Sequence, residues 1–567
     1  SIDNYAFDGC SALEEADLSN ATELGTYVFR NNVALKHVTF NDALASIGNY
    51  AFSGCTLLDT IDVVDLTMGE NTNNEAGIAT LPGSLNSIGT YAFQQTAIRE
   101  ITIPRSIKKL SSSSSDTSAS SSAYVFSGCM QLEKVILHDE LTVIGGNTFS
   151  KCGSLTTVRY VNSQGEIVGK EGEVTLPESL TVLGNQAFGS GRGTSTTADE
   201  GEVGAAFTKV TVPESVKYFG SYAFQDCALL EEAIVLTSAS RHGTSSTSYA
   251  VYTFDGCTSL KRIVFNDGVT AFGYGVFRNC TSLTTIDVYT PDDGKITENE
   301  AGVAVLPSAL AYLDYNVFMN TAIREITIPR GVTKLTSKIT SVSTSCSAFS
   351  GCTQLETVIL HDALQMIGKE AFLNCSSLKT IMYLTEDGTL VGEGEEGVGV
   401  ANLPGSLTMI GDNASNNTAI EKVIIPESVA KIGDGSFSNC ASLKEVQYLT
   451  SSVRYNTATS NYATNVFEND TALSKVVLNS EITYLPISYF LNCSSLTTIL
   501  LYNPADKTTT GNEGEALLPQ SLTELAQNVF KGCSSITKMI LPATLETIGT
   551  GVFNGMKGLT SLELPEG

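Results

Sequence analysis

The residues best able to do chemistry are the carboxylates of five Gly-rich acidic segments spread along the chain. Calcium takes about six to eight oxygen ligands, and such segments supply them. They match neither an EF-hand loop nor a calcium-binding nonapeptide, so solvated charged loops are the alternative interpretation. Weak calcium binding is therefore a hypothesis beside that interpretation, and no other cofactor is expected; the candidate ligands are Asp292, Asp293, Glu298, Glu300, Glu393, Glu395 and Glu396.

Histidine is scarce, with only four residues: His37, His138, His242 and His361. His138 and His361 occupy equivalent places in a repeated I-L-H-D sequence. General acid–base catalysis requires a positioned partner within hydrogen-bond reach. Duplication of a repeat explains the recurrence more simply. Nucleophile-elbow, zinc-protease, P-loop and dinucleotide-binding motifs are missing in any suitable context, so we expect no enzymatic activity.

Twelve of the thirteen cysteines lie three residues after a recurring Phe, and only Cys346 is out of register. Zinc sites usually contain C-x-x-C pairs, and disulfide frameworks use varied spacings. Regular spacing instead favours a small buried side chain at a turn. The sequence therefore does not indicate a redox compartment.

Two further sets of residues suggest a binding surface or a modification. Five tyrosines follow predicted strands just before acidic segments: Tyr160, Tyr289, Tyr383, Tyr448 and Tyr502. They form either a stacking platform for glycan or protein, or a cover for the root of each loop. Seven N-x-S/T sequons would carry glycans in a eukaryotic secreted protein, or they simply repeat a turn sequence: Asn20, Asn279, Asn374, Asn413, Asn416, Asn469 and Asn492.

A repeat of at least 22 residues positions all these groups. LETVILHDALQMIGKEAFLNC from Leu355 to Cys375 represents it. The L-x-x-I-x-L half alternates as a strand does, and I-G-x-x-A-F-x-x-C forms a turn that packs beneath its neighbour. Counting by Phe gives about 19 repeats, including one in which Ala414 is taken to replace Phe. No repeat can bury its apolar face alone, so stacking must bury it.

Longer spacings between Phe residues recur every seven repeats, which predicts one continuous solenoid built from modules. Residues 1–28 would end one module, 29–253 and 254–466 would be whole modules, and 467–567 would begin another. The sequence starts in mid-repeat at Ser1, so we expect a longer parent protein.

Charge excludes several classes of partner. The 60 acidic residues outnumber 33 basic ones, for a net charge of −27. Nucleic-acid binding depends on clustered Lys and Arg, so we expect neither nucleic acid nor an anionic membrane as partner. Apolar runs are far too short for a membrane span.

The repeat resembles the BspA-like, or Treponema pallidum type, leucine-rich repeats. IGNYAFSGCTLLDTI from Ile47 and IGDGSFSNCASLKEV from Ile432 are clear instances. The resemblance implies a curved right-handed solenoid, mainly β, with an irregular or 3-10 convex side. It also implies an extracellular or cell-surface protein without shared catalytic residues. We therefore expect a non-catalytic scaffold that binds protein or glycan on a host, matrix or neighbouring cell. The alternative is a filament subunit that associates end to end.

Overall fold

The computed structural model describes residues 1–111, 118–192, 203–239, 250–335, 342–343, 346–392, 397–453 and 462–563. The chain forms two compact units, Ser1–Glu298 and Asn299–Gly567, called unit 1 and unit 2. Within the described ranges the regular structure is β throughout, without an α-helix. Accordingly, no helix there is long and apolar enough to cross a bilayer.

Each repeat contributes one strand to a parallel ladder because its apolar residues alternate, and the end of each of the five acidic segments leads into a further ladder strand, such as Ile78–Thr80. In Lys134–His138, Val135 and Leu137 are buried, whereas Lys134 and Ile136 lie on the outer face of the sheet. The chain then turns and forms a two-residue strand, such as Val143–Ile144, before the Phe-bearing turn. A Gly follows many of these short strands, and packing requires it there. At Gly220, an added Cβ would overlap the carbonyl oxygen of Gly184 in the preceding repeat.

Unit 1 contains a ladder, two hairpin strands and a row of short strands. The ladder strands are β1 Glu15–Asp17, β3 His37–Asn41, β5 Thr60–Val64, β6 Ile78–Thr80, β8 Glu100–Thr102, β10 Lys134–His138, β12 Thr157–Val161, β14 Glu173–Thr175, β16 Lys209–Val212, β18 Glu232–Val235, β19 Arg262–Asn266 and β21 Thr285–Thr290. The hairpin strands are β13 Ile167–Val168 and β22 Lys295–Thr297. The short strands are β2 Glu23–Leu24, β4 Ser46–Ile47, β7 Ser87–Ile88, β9 Lys109–Leu110, β11 Val143–Ile144, β15 Val182–Leu183, β17 Tyr218–Phe219 and β20 Ala271–Phe272.

Unit 2 repeats this arrangement. Its ladder strands are β23 Val303–Val305, β25 Glu325–Thr327, β27 Thr357–His361, β29 Thr380–Leu384, β31 Val400–Asn402, β33 Lys422–Ile425, β35 Glu445–Tyr448, β36 Lys475–Asn479, β38 Thr498–Asn503, β40 Glu515–Leu517, β42 Lys538–Ile540 and β44 Ser561–Glu563. The hairpin strands are β30 Leu390–Val391 and β39 Thr508–Thr510. The short strands are β24 Tyr312–Leu313, β26 Lys334–Leu335, β28 Met366–Ile367, β32 Met409–Ile410, β34 Lys431–Ile432, β37 Tyr484–Leu485, β41 Glu524–Leu525 and β43 Thr547–Ile548.

Ladder neighbours pair in parallel and in register, as Lys134–Thr157 and Val135–Val158 do between β10 and β12. The acidic segments form antiparallel hairpins at the C-terminal end of their strands: β13 pairs with β12, and β39 pairs with β38. The predicted leucine-rich-repeat solenoid, mainly β and with a turn-rich opposite side, is confirmed.

The Phe side chains stack in a column beneath the ladder. In unit 1 neighbouring ring centroids from Phe7 to Phe277 lie 5.1–6.0 Å apart. The assignment of Ala414 to this column is wrong by one position. The Cys440 thiol donates to the carbonyl of Ser415, as the Cys375 thiol does to that of Phe349, so Ser415 replaces the Phe.

Two positions in nearly every repeat have left-handed backbone geometry. One lies two residues before the Phe and the other two residues after it, with φ of 55° at Tyr50 and 77° at Gly54 around Phe52. Gly and Asn adopt this region most readily. We call the side that carries these positions the turn side, and the outer face of the ladder the strand face.

Candidate binding surfaces

The strand face of unit 1 is a ladder of half-exposed, mutually paired charges. Lys134 Nζ lies 3.2 Å from Glu100, and Lys209 Nζ lies 2.6 Å from Glu232. Arg262 also contacts Glu232, at 2.5 Å. Burial raises the pKa of Glu232, but hydrogen bonds from Lys209 and Arg262 outweigh it and lower the pKa below its usual value. These side chains are therefore charged and held in place across successive strands.

At the N-terminal edge of this face, carboxylates surround a groove of about 270 Å³ that crosses the strands β6 to β12. We call it the acidic groove, and its glutamates are Glu75, Glu100, Glu133 and Glu171. Two cations, Arg99 and Lys134, share the lining; Lys134 pairs with Glu100, and Arg159 pairs with Glu171 at 2.6 Å. Glu75 and Glu133 are exposed, and within the described chain they form no ion pair. With four glutamates against Arg99 and Lys134, the lining keeps a net negative charge.

The five predicted tyrosines do not form a single row. Tyr160 and Tyr383 pair in register with Leu137 and Leu360, whose side chains point into the core. Tyr289 and Tyr502 occur one position later. Tyr448 is fully buried, and its hydroxyl donates to the carbonyl of Ser452 at 2.6 Å. Tyr448 is therefore a core residue and is unavailable as a stacking platform.

Tyr289 and Tyr502 reach back across two intervening ladder strands to a glutamate. Tyr289 donates to Glu214 and Tyr502 to Glu427, each at 2.5 Å. Tyr502 packs against Val477 and Leu500 and is only 8% exposed. Four of the five tyrosines also pair with a hairpin strand: Tyr160, Tyr289, Tyr383 and Tyr502. These contacts favour the interpretation that tyrosine covers the root of the hairpin.

The calcium prediction involves exposed hairpin residues. Asp293 lies 3.3 Å from Lys295, and Glu298 lies 3.5 Å from Arg262, so both carboxylates have cationic neighbours. Asp292 and Glu300 are exposed. Among the residues that the structure describes, three or more His, Cys, Asp or Glu side chains nowhere gather in a metal-binding group. Glu393, Glu395 and Glu396 lie outside the described residues, and calcium binding stays a prediction.

His138 and His361 bind backbone groups on both sides of the ring. Nε2 of His138 lies 2.8 Å from the carbonyl of Ile107, and Nδ1 accepts the N–H of Glu140. His361 makes the same contacts with Val332 and Ala363. Burial lowers the pKa of both rings. Both rings are therefore neutral, and each donates through Nε2 to a carbonyl of the preceding repeat. These hydrogen bonds link consecutive repeats. His242 lies outside the described residues.

The thirteen cysteines are free, and all except Cys10 are buried. Each in-register thiol beyond Cys10 donates to the backbone carbonyl of the preceding repeat, as Cys55 does to Phe29 at 3.0 Å. Burial raises the pKa of Cys55 to about 12. In five of the seven repeats without Cys, a polar residue fills the position: Asn32, Thr96, Thr321, Thr418 or Asp470. The column is thus structural.

Most of the predicted sequons coincide with the left-handed positions. Asn279, Asn374, Asn413, Asn469 and Asn492 have φ between 50° and 64°. Their amides also form a ladder: Asn492 Nδ2 donates to Asn469 at 2.9 Å, and Asn469 donates to Asn439 at 3.1 Å. Asn416 donates to Ser438, and Asn20 is exposed. The left-handed backbone geometry therefore explains why asparagine occurs at these five positions, without any appeal to glycosylation.

The turn side of unit 1 carries an aromatic ladder that the sequence analysis missed. Tyr5, Tyr27, Tyr50, Tyr91 and Tyr124 stack with ring centroids 4.3–4.8 Å apart. Each has a positive φ, which is uncommon for an aromatic residue. The recurring Tyr two residues before Phe, as in NYAF and TYAF, was the available signal. The stacking of this Tyr depends on its left-handed backbone conformation, which the amino-acid sequence alone does not show.

Comparisons with known proteins agree with this architecture. The chain matches the family model for the BspA type leucine rich repeat region over residues 1–120, 72–171, 115–197, 204–300, 244–346, 334–392, 408–513 and 507–567. No curated protein matches it.

Similar solved structures come from three bacteria. A leucine-rich repeat protein from Bacteroides ovatus ATCC 8483 is 20% identical, with 86% of this chain and 87% of that chain covered and a TM-score of 0.37. A leucine rich cell surface protein from Faecalibacterium prausnitzii A2-165 is 16% identical, with 87% and 89% covered and a TM-score of 0.32. The T. pallidum leucine rich repeat protein is 20% identical, with 48% and 86% covered and a TM-score of 0.24.

Proposed function

Because this chain belongs to the BspA-type leucine-rich-repeat family, we propose that it is a non-catalytic scaffold at the cell surface or outside the cell. It binds a protein partner through the strand face of unit 1, and the acidic groove receives basic side chains of that partner. The family supports the general role of an interaction scaffold. The location at the cell surface or outside the cell, and a partner with basic side chains, are what we add to this general role.

The observation that carries the proposal is the charge of the acidic groove. Glu75 and Glu133 are exposed and form no ion pair within the described chain, whereas Glu171 pairs with Arg159. A site with an excess of one sign of charge raises the local concentration of oppositely charged groups and speeds association. The chain's net charge of −27 acts in the same direction at longer range. A partner with exposed Lys or Arg is therefore favoured.

The paired charges of the strand face support binding in a second way. Glu232 contacts both Lys209 and Arg262, so its carboxylate is already oriented in the free protein. Side chains that are ordered before association lose less entropy when the complex forms. The strand face thus offers a preorganised polar surface around the acidic groove.

Binding to a panel of purified matrix proteins tests this proposal. Biolayer interferometry would compare the chain with a Glu75→Gln/Glu133→Gln variant at low and physiological salt. We expect the variant to associate more slowly and with a weaker dependence on salt. A Glu481→Gln/Glu546→Gln variant is the matched control, because it makes the same change in net charge at exposed sites in unit 2.

Equal losses in both variants would mean that net charge alone governs association, which contradicts a role for the groove. The failure of every matrix protein to bind would contradict the choice of partner. Regular fibres in negative-stain electron microscopy would support the filament alternative instead. Antibody labelling of intact source cells tests the location, since a protein inside the cell would not be labelled.

A further inference from the structure

The turn side of unit 1 contains a second groove, distinct from the proposed protein-binding face, with a volume of about 330 Å³. We propose that this groove, called the amide groove, binds a neutral oligosaccharide. Its lining includes Tyr91, Gln94, Gln95, Tyr124, Asn147 and Gln186.

The lining is uncharged apart from Lys151, although the chain as a whole is strongly acidic. Among the residues that the structure describes, it contains amides, hydroxyls and two aromatic rings, and no carboxylate. Amides and hydroxyls recognise hydroxyl groups as both donor and acceptor. Without a cluster of Lys and Arg, the groove does not favour phosphate or nucleic acid. Its chemistry therefore matches a ligand that has many hydroxyls and no net charge.

The groove lies where the tyrosine ladder is interrupted. Tyr124 stacks on Tyr91 at 4.3 Å, but the next two equivalent positions are Asn147 and Gln186. Stacking resumes at Tyr222 and Tyr252, with ring centroids 5.2 Å apart. One face of Tyr124 consequently has no aromatic neighbour in the next repeat. An aromatic face packs well against the C–H face of a sugar, since its body is apolar and its tip is polar.

Hydrogen-bonding groups remain available beside this ring. Oε1 of Gln94 accepts from Ser53 at 3.0 Å, which leaves its N–H groups for a ligand. The side-chain amides of Gln95 and Gln186 make no hydrogen bond within the described part of the chain. Ser127 and Ser150 bond to each other at 2.9 Å and form the floor. Few polar groups around an apolar platform are typical of small-ligand sites.

The geometry also suggests an extended ligand. The lining residues come from four consecutive repeats, whose stacked Phe rings lie 5.5–5.7 Å apart. This step is close to the length of one hexose unit in an extended chain. Equivalent side chains would therefore meet successive sugars, with Tyr124 stacking on one ring and the glutamines bonding to its neighbours.

Screening the full chain on an array of neutral glycans identifies the ligand. The best neutral hexasaccharide on the array is then the probe for isothermal titration calorimetry. We expect Tyr124→Ala to weaken binding about tenfold, because it removes one stacking contact. Tyr124→Phe should retain most of the affinity, and Gln186→Ala should lower it. Tyr27→Ala is the matched control, because Tyr27 has the same position in the ladder but lies outside the groove.

A fluorescence measurement keeps the test independent of folding defects. The chain has no Trp, so a Tyr124→Trp variant would carry a single reporter in the groove. Saturable change of its emission by the same hexasaccharide supports the proposal. Absence of binding to any neutral glycan overturns it, as does equal weakening by Tyr124→Ala and Tyr27→Ala. Because the acidic groove is not involved, either result leaves the proposed protein-binding function to its own test.

Discussion

Replacing Asp470 with Cys should stabilise unit 2 substantially. Asp470 occupies the cysteine column with its side chain fully buried. Its Oδ1 accepts the N–H of Cys440 at 2.8 Å, but Oδ2 has no partner within the described structure. An unpaired buried polar group costs about 1–3 kcal/mol. A Cys there would instead donate to a carbonyl of the preceding repeat, as Cys493 does to Phe467 at 3.1 Å.

The pH dependence of this gain follows from the carboxyl group. Burial raises the pKa of Asp470 well above its ordinary value of 3.8. The folded chain therefore holds a proton that the unfolded chain has lost. The contribution of this carboxyl group to folding stability is fully present below its pKa in the unfolded chain. It is lost as the pH rises through its pKa in the folded chain. The advantage of Asp470→Cys should start near 1–3 kcal/mol and grow by about 1.4 kcal/mol per pH unit across this window.

Native-state hydrogen exchange is the suitable assay, because repeat arrays need not unfold in one step. Peptides that contain β35, β36 and β38 report on Asp470, and peptides from unit 1 serve as an internal reference. Thr418→Cys is the control. Thr418 already donates to Ser415 at 3.1 Å, so the change should stay within about 0.5 kcal/mol. Unchanged or faster exchange in Asp470→Cys, or a gain that does not vary with pH, would refute the reasoning.

Three further changes test other buried polar groups. Asn32→Cys should raise the free energy of unfolding of unit 1 by about 1–3 kcal/mol, because neither amide atom of Asn32 has a partner within the described chain; unchanged exchange in β3 would contradict this. Burial lowers the pKa of His138 and His361, so stability should fall as pH drops below about 6.5, where the unfolded chain gains protons first. The double change His138→Asn/His361→Asn should remove this acid-side loss of Tm, and an unchanged pH profile would count against it. Arg278→Met should lower stability by about 3 kcal/mol because it removes a bidentate partner from the buried Asp255, as denaturant unfolding would show; a loss below about 0.5 kcal/mol would mean that the pair contributes little.

Alternation and spacing were enough to predict the strands and the Phe-bearing turn that packs beneath its neighbour. These features depend on which side chains are apolar, and the letters show that directly. The misassignment at Ala414 arose because Ala precedes Phe in many repeats, so a repeat that has lost its Phe still contains a plausible anchor. The hydrogen bond from Cys440 to Ser415 and the backbone hydrogen bond from Phe372 to Ala414 fix the register there.

The binding surfaces were harder to predict because they depend on orientation. Tyr160 and Tyr289 both lie near the end of a ladder strand, but they differ by one register position, and a single step reverses the face of a strand. The tyrosine ladder needed knowledge of the left-handed backbone at Tyr50 and its equivalents. The acidic groove gathers glutamates from separate repeats, so its charge is apparent only after stacking.

The cysteine column has a consequence for handling and durability. Each buried thiol of the column is already engaged with a main-chain oxygen, and desolvation keeps it from forming the thiolate that oxidants and alkylating reagents attack. These thiols can therefore persist in air or in an oxidising medium without cross-linking. Cys10 is the one exposed thiol, so a maleimide dye would attach there alone, at a known place and without mutation.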